Sequence, residues 1–303
     1  MFNQKIGLGS AVARVPAEEA EPTLRHEGAE VVLRKVDVVV RGDECSIRPL
    51  TGGRVIEALA GVVAHRVHAT RSRCTRNKLA LENLAGELRK ENKVEVIILP
   101  ADLSLPGTPK QIFKNMSDQK LSVDVLVNNA GFGAIGAFAD LPLERQLEML
   151  RVNIGALTEL TGLFLPGCIL RRRGGVLNVG SVAGFLPGPG MTVYYATKAF
   201  VLSFTEGLAV ELADTGVKIT ALCPGPTATN FGNVAGSRKV KLTRVARMSA
   251  GEVAACGHLG FRRGRVIVIP GMQNRAVTFF TRLVPRALIR RAAGKFNGLN
   301  PKE

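Results

Sequence analysis

The chain has 303 residues, with 41 Lys and Arg against 25 Asp and Glu, and a formal net charge of +16. This length allows one large α/β domain with appendages. The five cysteines are scattered without a Cys-x-x-Cys, which predicts reduced packing residues rather than a disulfide framework or a metal site. No stretch approaches 18 consecutive apolar residues and no secretory signal is recognisable, so we expect a soluble, cytoplasmic protein.

The basic charge has several explanations. It could attract anionic lipid, an acidic carrier protein or nucleic acid. A solvated basic surface beside an anionic cofactor is the simpler explanation, and we expect no nucleic-acid partner. The four histidines show no ligand spacing, so no metal is expected.

Short apolar runs alternate with helical patterns along the chain. Residues 1–45 contain a lone Gly7-x-Gly9 and a strand-like segment from Gly28 to Leu33, and we treat them as an N-terminal extension of uncertain order. From Leu79 onward the pattern is regular, and it predicts a doubly wound parallel sheet, Rossmann-like, over residues 46–275. A basic amphipathic helical tail, residues 276–303, follows. The predicted strands of the regular part are 94–99, 123–127, 176–179, 219–223 and 265–269.

The segment from Ser181 to Lys198 brings reactive side chains together. Ser181 follows a predicted strand, and Tyr194 and Lys198 lie four positions apart in the next helical pattern. Residues four apart share a helix face, with Cβ atoms about 5–6 Å apart. A cation roughly 6 Å from a phenol, at an effective dielectric of about 20, favours the phenolate by about 2.8 kcal/mol, or roughly two pKa units. The spacing therefore predicts that Lys198 lowers the pKa of Tyr194 and makes it a general acid–base.

This pattern resembles the active site of the classical short-chain dehydrogenase/reductase family, which includes ketoacyl reductases. Ser181 precedes Tyr194 by thirteen positions, and Tyr194 opens a Tyr-x-x-x-Lys. Three further motifs stand in the family's order: Asn128-Asn129-Ala130-Gly131, Asn153, and Pro224-Gly225-Pro226-Thr227. The resemblance covers roughly residues 75–270.

The resemblance implies hydride transfer between NADP, or alternatively NAD, and a carbonyl or secondary alcohol such as a 3-ketoacyl compound. It implies that Tyr194 protonates the forming alkoxide, that Ser181 hydrogen-bonds the carbonyl oxygen, and that Lys198 holds the nicotinamide ribose. Asn153 would position a water for proton relay to Lys198; a lone helical Asn is otherwise simply exposed or hydrogen-bonded. Further cofactor contacts implied by the resemblance are Asp102, Leu103, Asn128, Ala130, Gly131, Pro224, Gly225 and Thr227, in addition to Tyr194 and Lys198.

Two of these assignments have structural alternatives. Asp102 would meet the adenine ring, but Asp also caps turns frequently. The asparagines Asn128 and Asn129 can tie adjacent strands together, and the small Ala130 and Gly131 let a cofactor approach; the alternative for this motif is a turn alone.

The phosphate-binding loop departs from the family pattern. Thr51-Gly52 stands 77 positions before Asn128, where the family's Thr-Gly-x-x-x-Gly-x-Gly begins, but Ile56 and Ala58 replace the next two glycines. Glycines there leave backbone N–H groups free to bind pyrophosphate at a helix N-terminus. We therefore hypothesise that residues 1–74 are partly read out of frame or eroded. Arg76, near the expected ribose 2′-position, favours NADP, or else belongs to an exposed basic loop.

The family places a substrate lid between Thr229 and Met248. Its basic residues here suit a coenzyme A ester, another acyl thioester or an acidic carrier, although a solvated charged face explains them too. The tail could lie on a membrane, cover an oligomer interface or cover the substrate pocket. We expect a homo-oligomer, as is usual in the family. The alternative to an oxidoreductase is a catalytically impaired relative that acts as a binding partner.

Overall fold

The computed structural model describes residues 30–33, 39–41, 82, 86, 90, 95–228, 231, 235 and 248–298. Seven strands in these ranges form one sheet in the order β3-β1-β2-β4-β5-β6-β9, and two short strands, β7 and β8, pair in parallel beside it. The strands are β1 Glu30–Leu33, β2 Val39–Arg41, β3 Glu95–Ile98, β4 Val125–Asn128, β5 Gly175–Val179, β6 Lys218–Leu222, β7 Thr227–Ala228, β8 Met248–Ser249 and β9 Ile267–Val268.

Helices cover both faces of this sheet. A π-helical turn, Arg151–Ala156, joins the second and third helices, and 3₁₀ turns occupy Phe138–Asp140 and Val182–Phe185. The helices are α1 Thr108–Asp118, α2 Leu143–Leu150, α3 Leu157–Arg171, α4 Thr192–Glu211, α5 Ala250–Arg262, α6 Met272–Phe280 and α7 Arg286–Phe296.

Neighbouring residues along a strand belong to two different core clusters, which lie on the two faces of the sheet. Leu126 and Val176 belong to the larger core cluster, which includes side chains of α1, α3 and α4. Their neighbours Val127 and Leu177 belong to a second cluster with α5. Successive strand residues point to opposite faces, so the sheet is buried on both sides. The predicted doubly wound α/β fold is confirmed.

Helix α5 approaches the sheet unusually closely. A Cβ added at Gly257 would lie 2.6 Å from Leu222 Cδ2, and one at Gly260 would lie 2.2 Å from Val268 Cγ2. These two glycines therefore allow the helix to pack directly on β6 and β9.

One strand of the sheet runs against the others. β2 pairs antiparallel with both β1 and β4, whereas the pairings β1–β3, β4–β5, β5–β6 and β6–β9 are parallel. The physical reason is the connection between β1 and β2, residues 34–38, because a parallel crossover needs a dozen or more residues. The described sheet is thus parallel apart from β2, and residues within the segment 1–45 contribute two strands to it.

The run Leu143–Arg171 is the one helix in the described ranges that is long and apolar enough to cross a membrane. Length and composition alone are weak evidence, since a buried core helix meets the same test. In this chain it packs on the sheet, where Leu160, Phe164 and Cys168 are buried in the larger core cluster.

Candidate active site

The carboxyl ends of β4, β5 and β6 gather the predicted catalytic and cofactor-binding residues. Ser181 follows β5 and caps the 3₁₀ turn Val182–Phe185, where its hydroxyl accepts from the Ala183 N–H at 3.1 Å. Tyr194 and Lys198 lie on the first turns of α4, and Asn153 lies on the π-helical turn. Parallel strands present their ends at one edge, which is where open α/β sheets bind ligands.

Tyr194 is a half-buried phenol with an apolar wall. Its ring centroid lies 5.2 Å from that of Phe231. Burial raises the pKa of Tyr194 above its usual value, and the nearby Ser181 side chain lowers it in part. The expected net lowering of the Tyr194 pKa is therefore wrong for this structure, because desolvation by burial is the largest influence on the phenol.

Lys198 is a buried cation, 6 % exposed. Its Nζ donates to the Val179 carbonyl at 2.7 Å and lies 5.9 Å from the centroid of the Tyr194 ring. Burial lowers the pKa of Lys198 to about 8, so the amine is still charged at neutral pH. The nearby Cys223 thiol is buried too, and burial raises its pKa to about 12. Cys223 therefore contributes no negative charge to the site at neutral pH.

Asn153 clamps the backbone of the loop after β4. Its Nδ2 donates to the Phe132 carbonyl at 3.0 Å and to Thr197 Oγ1 at 3.0 Å, and its Oδ1 accepts from the Phe132 N–H at 3.1 Å. The π-helical turn aims this side chain across the gap between α3 and the loop, as such turns often do at functional sites. Because its side-chain amide makes these three hydrogen bonds, Asn153 positions the loop. A water for proton relay would have to bind to the backbone of Asn153 instead.

Gly131 leaves space beside these groups. A Cβ at this position would lie 3.1 Å from Asn153 Oδ1 and 3.6 Å from Lys198 Nζ. The glycine therefore keeps the loop backbone close to the ammonium without a side chain between them, which agrees with its predicted place next to a cofactor. Ala130, just before it, packs against the larger core cluster.

Asn128 is part of a buried polar ladder. Its Nδ2 donates to Thr161 Oγ1 at 3.0 Å and to Asn178 Oδ1 at 2.9 Å, and Asn178 Nδ2 donates to Thr205 Oγ1 at 3.0 Å. These four residues are 0 to 3 % exposed, and together they join α3, β4, β5 and α4. Asn128 thus ties β4 to β5, which is the role suggested for the asparagines of this motif. Asn178 and the two threonines were missed in the sequence, although an Asn inside the apolar run 176–179 was a visible signal.

The Pro-Gly motif after β6 connects to Ser181 and to α6. The Pro224 carbonyl accepts from the Ser181 hydroxyl at 3.4 Å and from the Val182 N–H at 3.0 Å. A Cβ at Gly225 would lie 2.2 Å from Asn274 Oδ1, so glycine is required for this approach. Thr227 donates its hydroxyl to the Gly225 carbonyl at 3.0 Å. The motif therefore fixes one wall of the site.

The predicted adenine contact has a structural role here. Asp102 Oδ1 accepts from the Ser104 N–H at 3.0 Å and from its hydroxyl at 2.6 Å, as in a turn cap. Leu103 is 3 % exposed and belongs to the larger core cluster. Neither contact tests whether these residues also meet a cofactor.

Apolar side chains missed in the sequence lie beside Tyr194. A small recess there is bordered by Ala134, Phe138, Leu141 and Met191. Phe231 belongs to the predicted lid, and the Ala235 carbonyl of the same segment accepts from the Ile135 N–H at 2.9 Å. Phe231 was not singled out because a lone aromatic in a basic stretch carries no periodic signal.

Three predicted cofactor-binding residues, Thr51, Gly52 and Arg76, lie outside the described residues. Among the residues that are described, no group of three or more His, Cys, Asp or Glu side chains could hold a metal ion.

The chain is similar to known short-chain dehydrogenases and related oxidoreductases. A family model described as short chain dehydrogenase matches residues 58–239. The very-long-chain 3-oxoacyl-CoA reductase of Anas platyrhynchos is 33% identical over 166 residues, which are 53% of this chain and 52% of that protein. Oxidoreductase UcpA of Escherichia coli strain K12 is 32% identical over 151 residues, 49% of this chain and 57% of that protein. The matched part thus spans little more than half the length of these curated relatives.

Solved structures show similar relationships. A short-chain dehydrogenase from Sphingobium yanoikuyae in complex with NADPH is 31% identical, with a TM-score of 0.60 over 70% of this chain and 85% of that one. The bulky-bulky ketone specific alcohol dehydrogenase from Comamonas testosteroni is 29% identical, with a TM-score of 0.57 over 72% and 85% of the two chains.

Proposed function

The chain belongs to the short-chain dehydrogenase family, and on that premise we propose that it is an oxidoreductase that uses NADP(H) to interconvert a carbonyl compound and a secondary alcohol. One observation carries the proposal: Ser181 and Tyr194 lie together at the ligand-binding edge of the sheet, with the buried Lys198 ammonium 5.9 Å from the centroid of the Tyr194 ring. NAD is the second choice of cofactor.

In the reductive direction Tyr194 is the proton donor. Burial keeps its phenol protonated at neutral pH, so a proton is available for the oxygen of the forming alkoxide. Ser181 orients that oxygen and stabilises its developing charge with a hydrogen bond. When Tyr194 gives up its proton, the charged Lys198 nearby favours the resulting phenolate. The bound cofactor would supply the hydride.

The described residues fit the nicotinamide and ribose end of such a cofactor. Lys198 Nζ keeps donor capacity beyond its bond to Val179, and Gly131 leaves room beside it. The loop 128–131 and the motif 224–227 form the two walls. Arg76, Thr51 and Gly52 remain part of the proposal for the phosphate end, with Asp102 and Leu103 near the adenine.

The proposed substrate is an apolar ketone or a 3-oxoacyl thioester. The small recess beside Tyr194 is lined mainly by apolar side chains, among them Met191 and Leu141, with Gln146 and Thr192 as further polar members. The names of two relatives point the same way, since one is a 3-oxoacyl-CoA reductase and another is specific for bulky ketones. We place the enzyme in the cytoplasm, where thiols such as Cys168 and Cys223 stay reduced, and propose that it forms a homo-oligomer.

A specific observation favours the alternative, a catalytically impaired relative that only binds a partner. In the strand order 3-2-1-4-5-6 the strand beside the fourth carries the phosphate-binding turn at its carboxyl end. Here that place is taken by β2, which runs antiparallel to β4. Its carboxyl end therefore lies at the opposite edge of the sheet from Asn128.

Titration with NADPH and NADH, followed by nicotinamide fluorescence, separates the two functions. Saturation by NADPH at micromolar concentration supports the oxidoreductase, and a screen of bulky ketones and 3-oxoacyl-CoA esters should follow. If neither nucleotide binds at millimolar concentration, the protein is the impaired relative.

The tyrosine assignment is tested by Tyr194→Phe, with Tyr195→Phe as its matched control. Loss of the proton donor should lower kcat by about 10²–10⁴-fold while circular dichroism stays unchanged. Tyr195 donates its hydroxyl to Asn297 Oδ1 at 3.3 Å, away from the reacting oxygen, so its variant should keep turnover. Equal turnover of Tyr194→Phe and the parent would show the mechanism to be wrong.

A further inference from the structure

The C-terminal helices α6 and α7 expose a row of large apolar side chains. Met272 is 85 % exposed, Phe279 59 %, Phe280 58 % and Leu283 66 %. Isolated apolar residues on a surface are normal, but adjacent large ones mark an interaction surface. We call these four residues, with Leu288 and Phe296, the apolar face of the tail.

The tail is nevertheless firmly attached to the body of the protein. Ile289, Ala293 and Asn297, four residues apart along α7, are all buried. Asn297 Nδ2 donates to the Pro189 carbonyl at 2.8 Å, and its Oδ1 accepts from the Tyr195 hydroxyl. The apolar face is thus the outer side of a docked helix pair, which turns its inner side to the loop next to the active site.

The C-terminal part of the sequence carries charges of a single sign. From Val253 to Lys302 the sequence contains no Asp or Glu. The same stretch contains ten cationic residues: Arg262, Arg263, Arg265, Arg275, Arg282, Arg286, Arg290, Arg291, Lys295 and Lys302. Interleaved arginines and aromatic or aliphatic side chains are typical of helices that lie in a membrane interface.

We propose that the apolar face of the tail docks on a lipid bilayer that carries anionic headgroups. Phe279, Phe280 and Leu283 would enter the boundary between headgroups and acyl chains, while the arginines bind the headgroup phosphates and carboxylates. A second copy of this chain fits the face less well, because a symmetric contact would bring arginine-rich surfaces together without any acidic partner from the tail.

Docking in this way would place the mouth of the active site near the lipid. Helix α6 carries Asn274, which packs against Gly225 of the Pro-Gly motif, and α7 holds the loop at Pro189. An apolar substrate dissolved in the bilayer would then have a short path to Tyr194. Membrane binding requires no catalysis, so it can be tested independently of the proposed function.

Sedimentation with vesicles tests the proposal on the full chain. We expect binding to vesicles of phosphatidylcholine and phosphatidylserine, at least tenfold weaker binding to phosphatidylcholine alone, and a strong reduction in about 0.5 M NaCl, where charges are screened. The double variant F279S/F280S should lose at least tenfold in partitioning, because it removes the buried apolar area while keeping every charge.

The matched control is L170S/V210S. Leu170 is 87 % exposed and Val210 79 %, and they lie at the ends of α3 and α4 rather than on the tail. This variant should bind vesicles like the parent. The proposal is overturned if the parent does not bind anionic vesicles, or if F279S/F280S binds as tightly as L170S/V210S. It is also overturned if light scattering shows that F279S/F280S alone dissociates an oligomer, since a second copy would then cover the face.

Discussion

Lys198, which we propose as a catalytic residue, lies in an environment that is unfavourable for its charge. Its ammonium is buried and has one described protein acceptor, the Val179 carbonyl. Removing a charge from water is costly unless it is paired and hydrogen-bonded. The lowered pKa of about 8 expresses this cost, because burial favours the neutral amine.

Replacing this residue should therefore stabilise the protein while abolishing turnover. Lys198→Met removes the cost of burying the ammonium, about 3 kcal/mol. It also removes the hydrogen bond to Val179, which contributes about 1 kcal/mol. The free energy of unfolding at pH 7 should therefore rise by about 2 kcal/mol. Urea unfolding of both proteins measures the difference. Functional residues commonly reduce stability in this way.

The pH dependence of the free energy of unfolding tests whether burial of the Lys198 ammonium is the cause. Between pH 8 and the usual lysine value of 10.5 the unfolded chain holds the proton and the folded protein does not, so the parent's free energy of unfolding rises with pH. The advantage of Lys198→Met is fully present below pH 8 and shrinks as the pH approaches 10.5. A variant less stable than the parent at pH 7 would contradict this account.

Ser181, Tyr194 and Lys198 could be found from the sequence because fixed spacing on a strand, a loop and a helix determines where they meet. The direction in which the pKa of Tyr194 shifts could not be predicted from the sequence. It depends on how deeply the ring is buried and on Phe231, which reaches it from a distant segment. Spacing gives the distance to a cation, whereas desolvation is a property of the assembled site.

The elements around the site are joined by the ladder Thr161–Asn128–Asn178–Thr205. The Cα atoms of Asn128 and Asn178 are register partners in β4 and β5, and each amide also reaches a helix on the same face. Among the described residues, Asn128 Oδ1 is buried without a hydrogen-bond partner, so the stability of the ladder depends on the bonds that remain.

Breaking the ladder in its middle should be costly. Asn178→Leu removes one acceptor from Asn128 and the donor to Thr205, and we expect a loss of about 2–4 kcal/mol in the free energy of unfolding. Thermal unfolding measures the loss. The control Asn115→Leu, on the outer side of α1, should change stability by less than about 0.5 kcal/mol. Similar losses of stability for the two variants would show that the ladder does not contribute to the stability of the fold.

Element types followed from the sequence where the apolar runs were clear. The strands at 95–98, 175–179 and 218–222 agree with the predicted runs within one residue at each end. The π-helical turn at Asn153 and the close approach of α5 at Gly257 were not predicted, because both depend on what packs against the helix. Neither feature changes the periodic pattern from which a helix is recognised.

At the scale of the whole molecule, the hairpin β1–β2 decides whether the sheet is continuous. It lies between β3 and β4, so β3 reaches the rest of the sheet only through it in the described part of the chain. This arrangement was not foreseen, since residues 1–45 were expected to be an appended extension. Two short apolar runs, Val31–Leu33 and Val38–Val40, were too brief to be assigned a neighbour.

Deleting residues 1–45 distinguishes an appendage from an integral part of the sheet. Without the hairpin, β3 loses its described neighbour β1, and β4 loses β2 while keeping β5. Each backbone N–H or C=O group left buried without a partner costs about 1–3 kcal/mol. Because a domain of this kind has only about 5–15 kcal/mol of stability, we expect the shortened chain to lose its cooperative thermal transition. Deletion of residues 1–29, which keeps both strands, is the matched control, and the difference between the two deletions isolates the hairpin. Equal melting temperatures for both deletions would show that residues 30–45 are an extension after all.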